Sequence, residues 1–383
     1  MKHPVVALCI EELSVGGAEQ MLVTLANDLA QRNWRVHMVC LRQAGELASS
    51  LDNRIAVHVL NKKKGIDATL PWRLLRCIRT IRPDIVNSHL WVANTWVRLS
   101  LMFFAVPVIV TEHSRDTWKP RYYRWIDQWL ARRTSRLVAV SDDVADFYRQ
   151  DVSVRPELIT TIHNGIDSRR YAQGCGKLLR QAWLGDNESQ TGGQLFLIGT
   201  VGRLVPAKNH KRLLDCLSIL CRELSLKAFD IRLVIAGDGP EYSALEQQAR
   251  ALGLQHRISL VGSRSDIPDV LDAFDLFVLS SDREGYPLTA LEAQAAGTPV
   301  VLTAAGGSGE AIARAGEQVG GALVTRDPEA MAAAVSQMIL DPLLRQRQAS
   351  FARAYASSHF DKQHMTQRYE NLFISVRDHR QEL

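Results

Sequence analysis

The sequence predicts an α/β protein made of two doubly wound, Rossmann-like domains facing a cleft. Three observations predict it. The chain has 383 residues, more than the roughly 250–300 at which one hydrophobic core stops growing. Short apolar runs alternate with amphipathic segments, as buried parallel strands alternate with crossover helices. That alternation stops at a polar, glycine-containing stretch, Gly185 to Gln194, and then restarts. The reading places one domain over 1–168, a second over 190–360, and a helix over 361–383 that packs back on the first.

In the first half the strand candidates are Val5–Ile10, Val36–Leu41, Val57–Leu60, Ile85–Asn87, Val106–Val110, Leu137–Val140 and Leu158–Ile162. Helical spacing lies between most of them; Met21, Leu22, Leu25 and Leu29 share one face. In the second half the strands are Leu195–Val201, Leu233–Ala236, Ile258–Val261, Leu276–Leu279, Val300–Leu302 and Ala322–Val324. Leu213, Leu214, Leu217 and Leu220 mark the helix after Lys208, and the tail from Pro342 is helical throughout. In open sheets of this kind ligands sit beyond the carboxyl ends of the strands, so the cleft is the expected binding site.

Composition narrows the class. Hydrophobic residues make up 46% and charged residues 23%, as in soluble globular proteins. The six cysteines lack CxxC or metal-ligand spacing and several lie in apolar runs, which fits a reducing cytoplasm. The apolar run Leu99 to Val110 is about half a membrane span, and the N-terminal apolar run is too short for a signal peptide. Residues 1–165 hold 22 Lys/Arg against 16 Asp/Glu, so the whole positive excess belongs to the first half. That excess is either ordinary solubilising charge or a surface for an anionic membrane or acceptor.

Three loops at strand ends carry the chemistry. Gly16-Gly17-Ala18-Glu19 opens a helix after the first strand, where bare backbone and amide donors suit a phosphate. A plain strand–helix turn would look the same. Gly202-Arg203-Leu204-Val205-Pro206-Ala207-Lys208 places an arginine fork and a lysine point charge where they can converge on a diphosphate. Exposed bases are also commonly just solvated. In Glu284-Gly285-Tyr286-Pro287-Leu288-Thr289-Ala290-Leu291-Glu292 the amides of Leu288 and Thr289 open a helix, with Glu284 before it and Glu292 a turn inside. Carboxylates accept paired hydroxyl hydrogen bonds, which suits the diols of ribose or hexose.

Taken in order, Gly16-Gly17-Ala18-Glu19, Asn164-Gly165-Ile166-Asp167, Gly202-Arg203…Lys208, Gly237-Asp238-Gly239-Pro240 and Glu284-x7-Glu292 resemble the family 4 glycosyltransferases over roughly residues 5–375. The resemblance implies the GT-B fold, retention of anomeric configuration, a nucleotide-sugar co-substrate and no metal or other cofactor. It implies that Arg203 and Lys208 bind the donor diphosphate, Glu292 the ribose and Glu284 the transferred sugar. Gly16, Gly17, Gly237, Leu288 and Thr289 would complete the donor site, and His113 in Val110-Thr111-Glu112-His113 matches the family's active-site histidine. Where relatives often have Pro-Glu-Lys-Gly this chain has Pro206-Ala207-Lys208-Asn209; the lysine remains.

His89 ends a strand on the same side, as a structural or a functional histidine. Ser141 and Asn164 end successive strands as cleft residues or as caps, and Gly306-Gly307-Ser308-Gly309-Glu310 is a further helix-opening turn. There is no Asp-x-Asp, no G-x-G-x-x-G, no Walker lysine motif and no G-x-S-x-G, which argues against metal-clamped transferases, nicotinamide enzymes, ATPases and serine hydrolases. A GT-B-fold sugar-nucleotide epimerase, a GT-B-fold phosphorylase and a non-catalytic nucleotide-sugar-binding partner remain as alternatives; nucleic acid is not an expected partner.

Arg115 to Arg136 holds seven bases, Arg115, Lys119, Arg121, Arg124, Arg132, Arg133 and Arg136, against Asp116 and Asp127. Trp118, Tyr122, Trp125 and Trp129 fall on one helical face. Either the stripe packs into the core, or it is an interfacial helix on the cytoplasmic membrane face, with Lys62-Lys63-Lys64 adding charge. The second reading makes the protein peripheral and its acceptor a lipid-linked saccharide in surface-polysaccharide or lipopolysaccharide synthesis.

Overall fold

The computed structural model describes residues 3–117, 120–184, 194–224 and 229–381. The loop expected over Gly185 to Gln194 therefore lies, except for Gln194, outside the described residues, as do Trp118 and Lys119. The chain forms two compact units, Met1–Gly165 with Lys362–Leu383, and Ile166–Asp361.

The first unit is a seven-stranded parallel sheet in the order β3-β2-β1-β4-β5-β6-β7. Its strands are β1 (Val5–Ile10), β2 (Arg35–Cys40), β3 (Ala56–Val59), β4 (Ile85–His89), β5 (Val108–Glu112), β6 (Arg136–Ala139) and β7 (Ile159–Thr161). The central strands β4 and β5 are buried along their whole length, which is why they read as unbroken runs rather than as alternation. Helices α1 (Gly17–Gln31), α2 (Leu70–Ile81), α3 (Trp91–Ser100), α4 (Arg121–Leu130) and α5 (Asp142–Gln150) make the crossovers. Because β3, β4, β5 and β6 are entered in one direction, right-handed crossovers put α2, α3 and α4 on the same face, and these helices pack consecutively.

Between α3 and α4 the contact is polar as well as apolar. Arg98, almost fully buried, donates to Asp127 at 2.6 Å, and Trp91 Nε1 donates to the other Asp127 oxygen at 2.9 Å. Trp91 also packs on Tyr123, with centroids 4.4 Å apart. The inner face of α4 is thereby fixed as Tyr123, Asp127 and Leu130. Its outer face carries Tyr122, Trp125 and Trp129, which are 59%, 68% and 43% exposed. The core reading of the stripe is corrected for these three residues: the buried Arg98–Asp127 pair takes the inward positions.

The last helix, α14 (Lys362–Gln381), belongs to this first unit and packs on α1. Thr366 Oγ1 donates to Asp28 at 3.2 Å, Trp34 Nε1 donates to Glu370 at 2.9 Å, and Tyr369 and Phe373 are fully buried.

The second unit opens with short α6 (Ser168–Tyr171) and α7 (Lys177–Leu184). Its sheet has the order β10-β9-β8-β11-β12-β15, built from β8 (Gln194–Val201), β9 (Phe229–Ala236), β10 (Ile258–Leu260), β11 (Leu276–Leu279), β12 (Val300–Thr303) and β15 (Gly321–Val324). Its helices are α8 (His210–Leu224), α9 (Tyr242–Ala251), α10 (Ile267–Asp272), α11 (Leu288–Ala296), α12 (Pro328–Leu340) and α13 (Pro342–His359). Leu213, Leu214, Leu217 and Leu220 of α8 enter one core with Phe196, Ile198, Leu233, Ile235, Val335 and Met338. A small antiparallel hairpin, β13 (Arg314–Ala315) and β14 (Gln318–Val319), turns at Gly316 and has no counterpart in the sequence reading.

Candidate functional site

Each sheet reverses its strand order once, and a doubly wound sheet opens its ligand crevice where that happens, at the carboxyl ends of the strands. In the second unit the reversal falls between β8 and β11. The loop after β8 carries Arg203 and Lys208; the loop after β11 carries Glu284 and leads into α11. In the first unit it falls between β1 and β4, where Gly16-Gly17 follow one strand and His89 ends the other.

In the second unit, Lys208 Nζ donates to Glu284 Oε1 at 2.6 Å, and Ser281 Oγ donates to the same oxygen at 2.5 Å. The lysine and glutamate side chains are 22% and 9% exposed. One carboxylate oxygen is thus taken by the loop, and no bond to the other is seen among the described residues. Arg203 is exposed, with no side-chain partner among the described residues, so the site keeps one unneutralised cation. Ser280 Oγ donates to the carbonyls of Lys208 and Asn209, and Arg212 donates to Ser280 O and Asp282. These bonds lock the basic loop to the end of β11.

Glycine also brings the β8 loop close to the end of β9. A Cβ on Gly237, at φ +154, would lie 1.9 Å from the Gly202 carbonyl oxygen, and one on Gly239 would lie 2.5 Å from that of Leu204. The ends of β8 and β9 can meet only without side chains there.

Helix α11 begins after Pro287 and has no side-chain cap, so the amides of buried Leu288 and half-buried Thr289 stand at a bare N-terminus. Glu292 is 7% exposed and accepts from Tyr171 Oη at 2.7 Å. Burial pushes its carboxyl up to about 7, against the smaller opposing effects of the Tyr171 hydrogen bond and the Arg170 charge. Gln294 donates to Ala290 O and Ala311 O and accepts from Ala313 N, tying α11 to the turn Gly306–Ala311. Tyr171 and Ser281 were not singled out from sequence. Each is a single hydroxyl without motif context, and the first lies 121 positions from its partner.

In the first unit, Gly16 is the N-cap of α1, whose first turn has no side-chain cap from that position, and Gly17 is exposed. His113 follows β5. Its Nε2 lies 3.1 Å from His89 Nδ1, and His89 Nε2 lies 2.8 Å from Asn87 Oδ1. Burial pushes the His113 imidazole down to about 3, and burial with His113 alongside holds His89 well below its usual range. Leu90, next to His89, has φ +68, a left-handed conformation rare for leucine. Such strain costs on the order of 1–3 kcal/mol and is concentrated at ligand sites. Ser141 is a cap: its Oγ accepts from Val144 N at 3.2 Å. Asn164 is buried, with an Oδ1 that finds no partner among the described residues.

Among the described residues no helix is long and apolar enough to cross a membrane.

Comparison with known proteins agrees with this geometry. Residues 15–170 match the family described as Glycosyltransferase Family 4, and residues 186–355 that described as Glycosyl transferases group 1. A glycogen synthase of Mycobacterium tuberculosis is 30% identical over 324 residues, 82% of this chain and 73% of its own. The UDP-Gal:alpha-D-GlcNAc-diphosphoundecaprenol alpha-1,3-galactosyltransferase of Escherichia coli is 27% identical over 289 residues, 72% of this chain and 73% of its own. The crystal structure of Anabaena HepE in complex with UDP-glucose shares the fold with a TM-score of 0.83 at 24% identity, over 97% of this chain and 100% of that one. The chain belongs to glycosyltransferase family 4 and is a glycosyltransferase of the GT-B fold.

Proposed function

We propose that the protein is a retaining, metal-independent hexosyltransferase. It takes its sugar from a nucleotide-diphosphate donor and passes it to a hydroxyl of a lipid-linked saccharide at the cytoplasmic face of the membrane, in surface-polysaccharide or lipopolysaccharide synthesis. The observation that carries the donor side is the junction of the β8 and β11 loops. There Arg203, Lys208 and the bare N-terminus of α11 supply positive potential, and Glu284 and Glu292 supply hydroxyl acceptors. Fixed donors aimed at a developing diphosphate charge are the largest catalytic term such a site can provide. In the proposed reaction the bond from the anomeric carbon to the phosphate oxygen breaks. The acceptor oxygen bonds the same face of that carbon, and its proton goes to the departing phosphate. Arg203 and Lys208 take the place of a metal on the diphosphate.

Two observations favour the lipid-linked acceptor and a peripheral location. The E. coli relative is named for an acceptor on diphosphoundecaprenol. Exposed aromatics lie on α2 (Trp72), in the turn after α3 (Phe103) and on α4 (Tyr122, Trp125 and Trp129), and Arg121, which opens α4, and Arg132, just past its end, are exposed as well. Aromatics at headgroup depth and bases on anionic lipid, each base worth about 1 kcal/mol, suffice for reversible docking. Arg124 and Arg133 have intramolecular work, pairing with Asp151 and donating to the carbonyls of Leu101, Phe104 and Val106. A donor screen by thermal shift, followed by transfer assays with lipid-linked saccharides, tests the proposal. Stabilisation by one nucleotide sugar that grows with its concentration supports it; conversion of that donor to an isomer without acceptor would make the protein an epimerase.

A further inference from the structure

We infer that His89 is a positioning residue which, with Asn87, fixes His113 in the tautomer protonated on Nε2, so that His113 presents Nδ1 as a hydrogen-bond acceptor. The inference rests on the glycosyltransferase reading above, in which His113 matches the active-site histidine that the family places beside the donor sugar. It specifies the sugar's side of the contact: an unsubstituted hydroxyl that donates.

The argument runs outward from a backbone carbonyl. Asn87 is fully buried, and one end of its amide lies 3.2 Å from Ile109 O, which can only accept. That end is therefore Nδ2; it also reaches Thr111 Oγ1 at 3.1 Å. The other end is Oδ1, an acceptor, facing His89 Nε2 at 2.8 Å. His89 must donate from Nε2. A neutral imidazole then has a lone pair on Nδ1, and the only described group facing that lone pair is His113 Nε2 at 3.1 Å. His113 must donate in turn, which leaves its own Nδ1 unprotonated, and no side chain or backbone donor among the described residues occupies that nitrogen. Burial of both rings keeps them neutral, as the chain of bonds requires. The opposite set of tautomers would turn the Asn87 oxygen onto the Ile109 carbonyl. Tyr369 of α14 stands behind Thr111, its hydroxyl 3.4 Å from Oγ1, so the returning helix closes the far end of the row.

Two-bond nitrogen–proton correlation spectra of the intact, ligand-free protein read the tautomers directly, with His113→Gln and His89→Gln giving the assignments. Both rings should be neutral and protonated on Nε2. A His113 protonated on Nδ1, or charged at neutral pH, overturns the inference, whatever the enzyme turns over. Kinetics supply the second arm. In His89→Gln the amide nitrogen can donate to Asn87 and the oxygen can accept from His113, so the rate should stay near wild type. In His89→Leu the acceptor is gone, and kcat/KM should fall about tenfold, the usual size for one neutral hydrogen bond, with nucleotide affinity and melting temperature as checks on folding. Among singly deoxygenated donors, one should erase the difference between wild type and His89→Leu. Transfer activity with an equal His89→Leu defect on every deoxy donor removes the positioning role while leaving the glycosyltransferase reading intact. Absence of donor binding altogether would remove that reading, and the tautomer spectra still decide the inference.

Discussion

Glu292 sits where a ligand site and a stable fold ask for opposite things, and the conflict can be measured. Its carboxyl is 7% exposed and pushed up to about 7 by burial, from an ordinary value of 4.5. A raised carboxyl favours folding fully below about pH 4.5 and loses that contribution as pH rises through about 7, because the folded state then binds more protons than the unfolded one. A displacement of this size corresponds to about 3 kcal/mol by about pH 8, and to under about 1 kcal/mol at about pH 5. Glu292→Gln keeps an acceptor for Tyr171 and removes the titration. We predict that the ligand-free variant is more stable than wild type at about pH 8 by up to that amount, with little difference at about pH 5. The same change should weaken nucleotide binding by about 10- to 100-fold, the size of a hydrogen bond to a charged acceptor. Denaturant melts at the two pH values and calorimetry with the cognate nucleotide check both halves. A variant no more stable than wild type at the higher pH would refute the burial argument, and unchanged nucleotide affinity would refute the ribose assignment.

Lys208→Ala and Arg203→Ala should each lower kcat by about two to three orders of magnitude, the cost of one lost transition-state donor, and a full, magnesium-reversible loss of wild-type activity in EDTA would contradict diphosphate binding without metal. Asp127→Ala should destabilise the protein by about 3–5 kcal/mol, because it strands the buried Arg98 charge; a thermal melt reads this directly. His113, held down to about 3, should leave no inflection near its usual value in the pH profile of kcat, while stability falls as pH drops below about 6.5, where the unfolded histidine binds protons and the folded one does not. Co-sedimentation with anionic vesicles should need low salt and should drop for Trp125→Ala with Arg121→Ser and Arg132→Ser; equal recovery with neutral vesicles would remove the docking claim.

The strands were legible because buried parallel strands are continuous apolar runs, and the interior runs of both sheets fall within a residue or two of their observed bounds, except β9, which begins at Phe229, four residues before the expected Leu233. The hairpin Arg314–Val319 was not, since two-residue strands of mixed polarity carry no period. The aromatic stripe shows the limit of pattern reading. Spacing placed Tyr122, Trp125 and Trp129 on one side of a helix, but direction was decided by Arg98 and Asp127, a pair 29 positions apart that no local pattern couples. The meeting of Lys208 with Glu284 is a similar case. Each was visible at a strand end, and it is the reversal of strand order between β8 and β11 that makes their loops neighbours. His89 looked like one more strand-end histidine until register put β4 beside β5 and His89 opposite Thr111.

Acceptor-dependent release of nucleoside diphosphate from a panel of nucleotide sugars, by wild type and by Lys208→Ala, tests the central claim most directly. The account predicts release with at least one donor when a lipid-linked saccharide is present, sugar recovered on that saccharide, and loss of about two to three orders of magnitude in the variant. Release at the wild-type rate from Lys208→Ala would show that the diphosphate does not sit at the junction of the β8 and β11 loops, and the account would fail there.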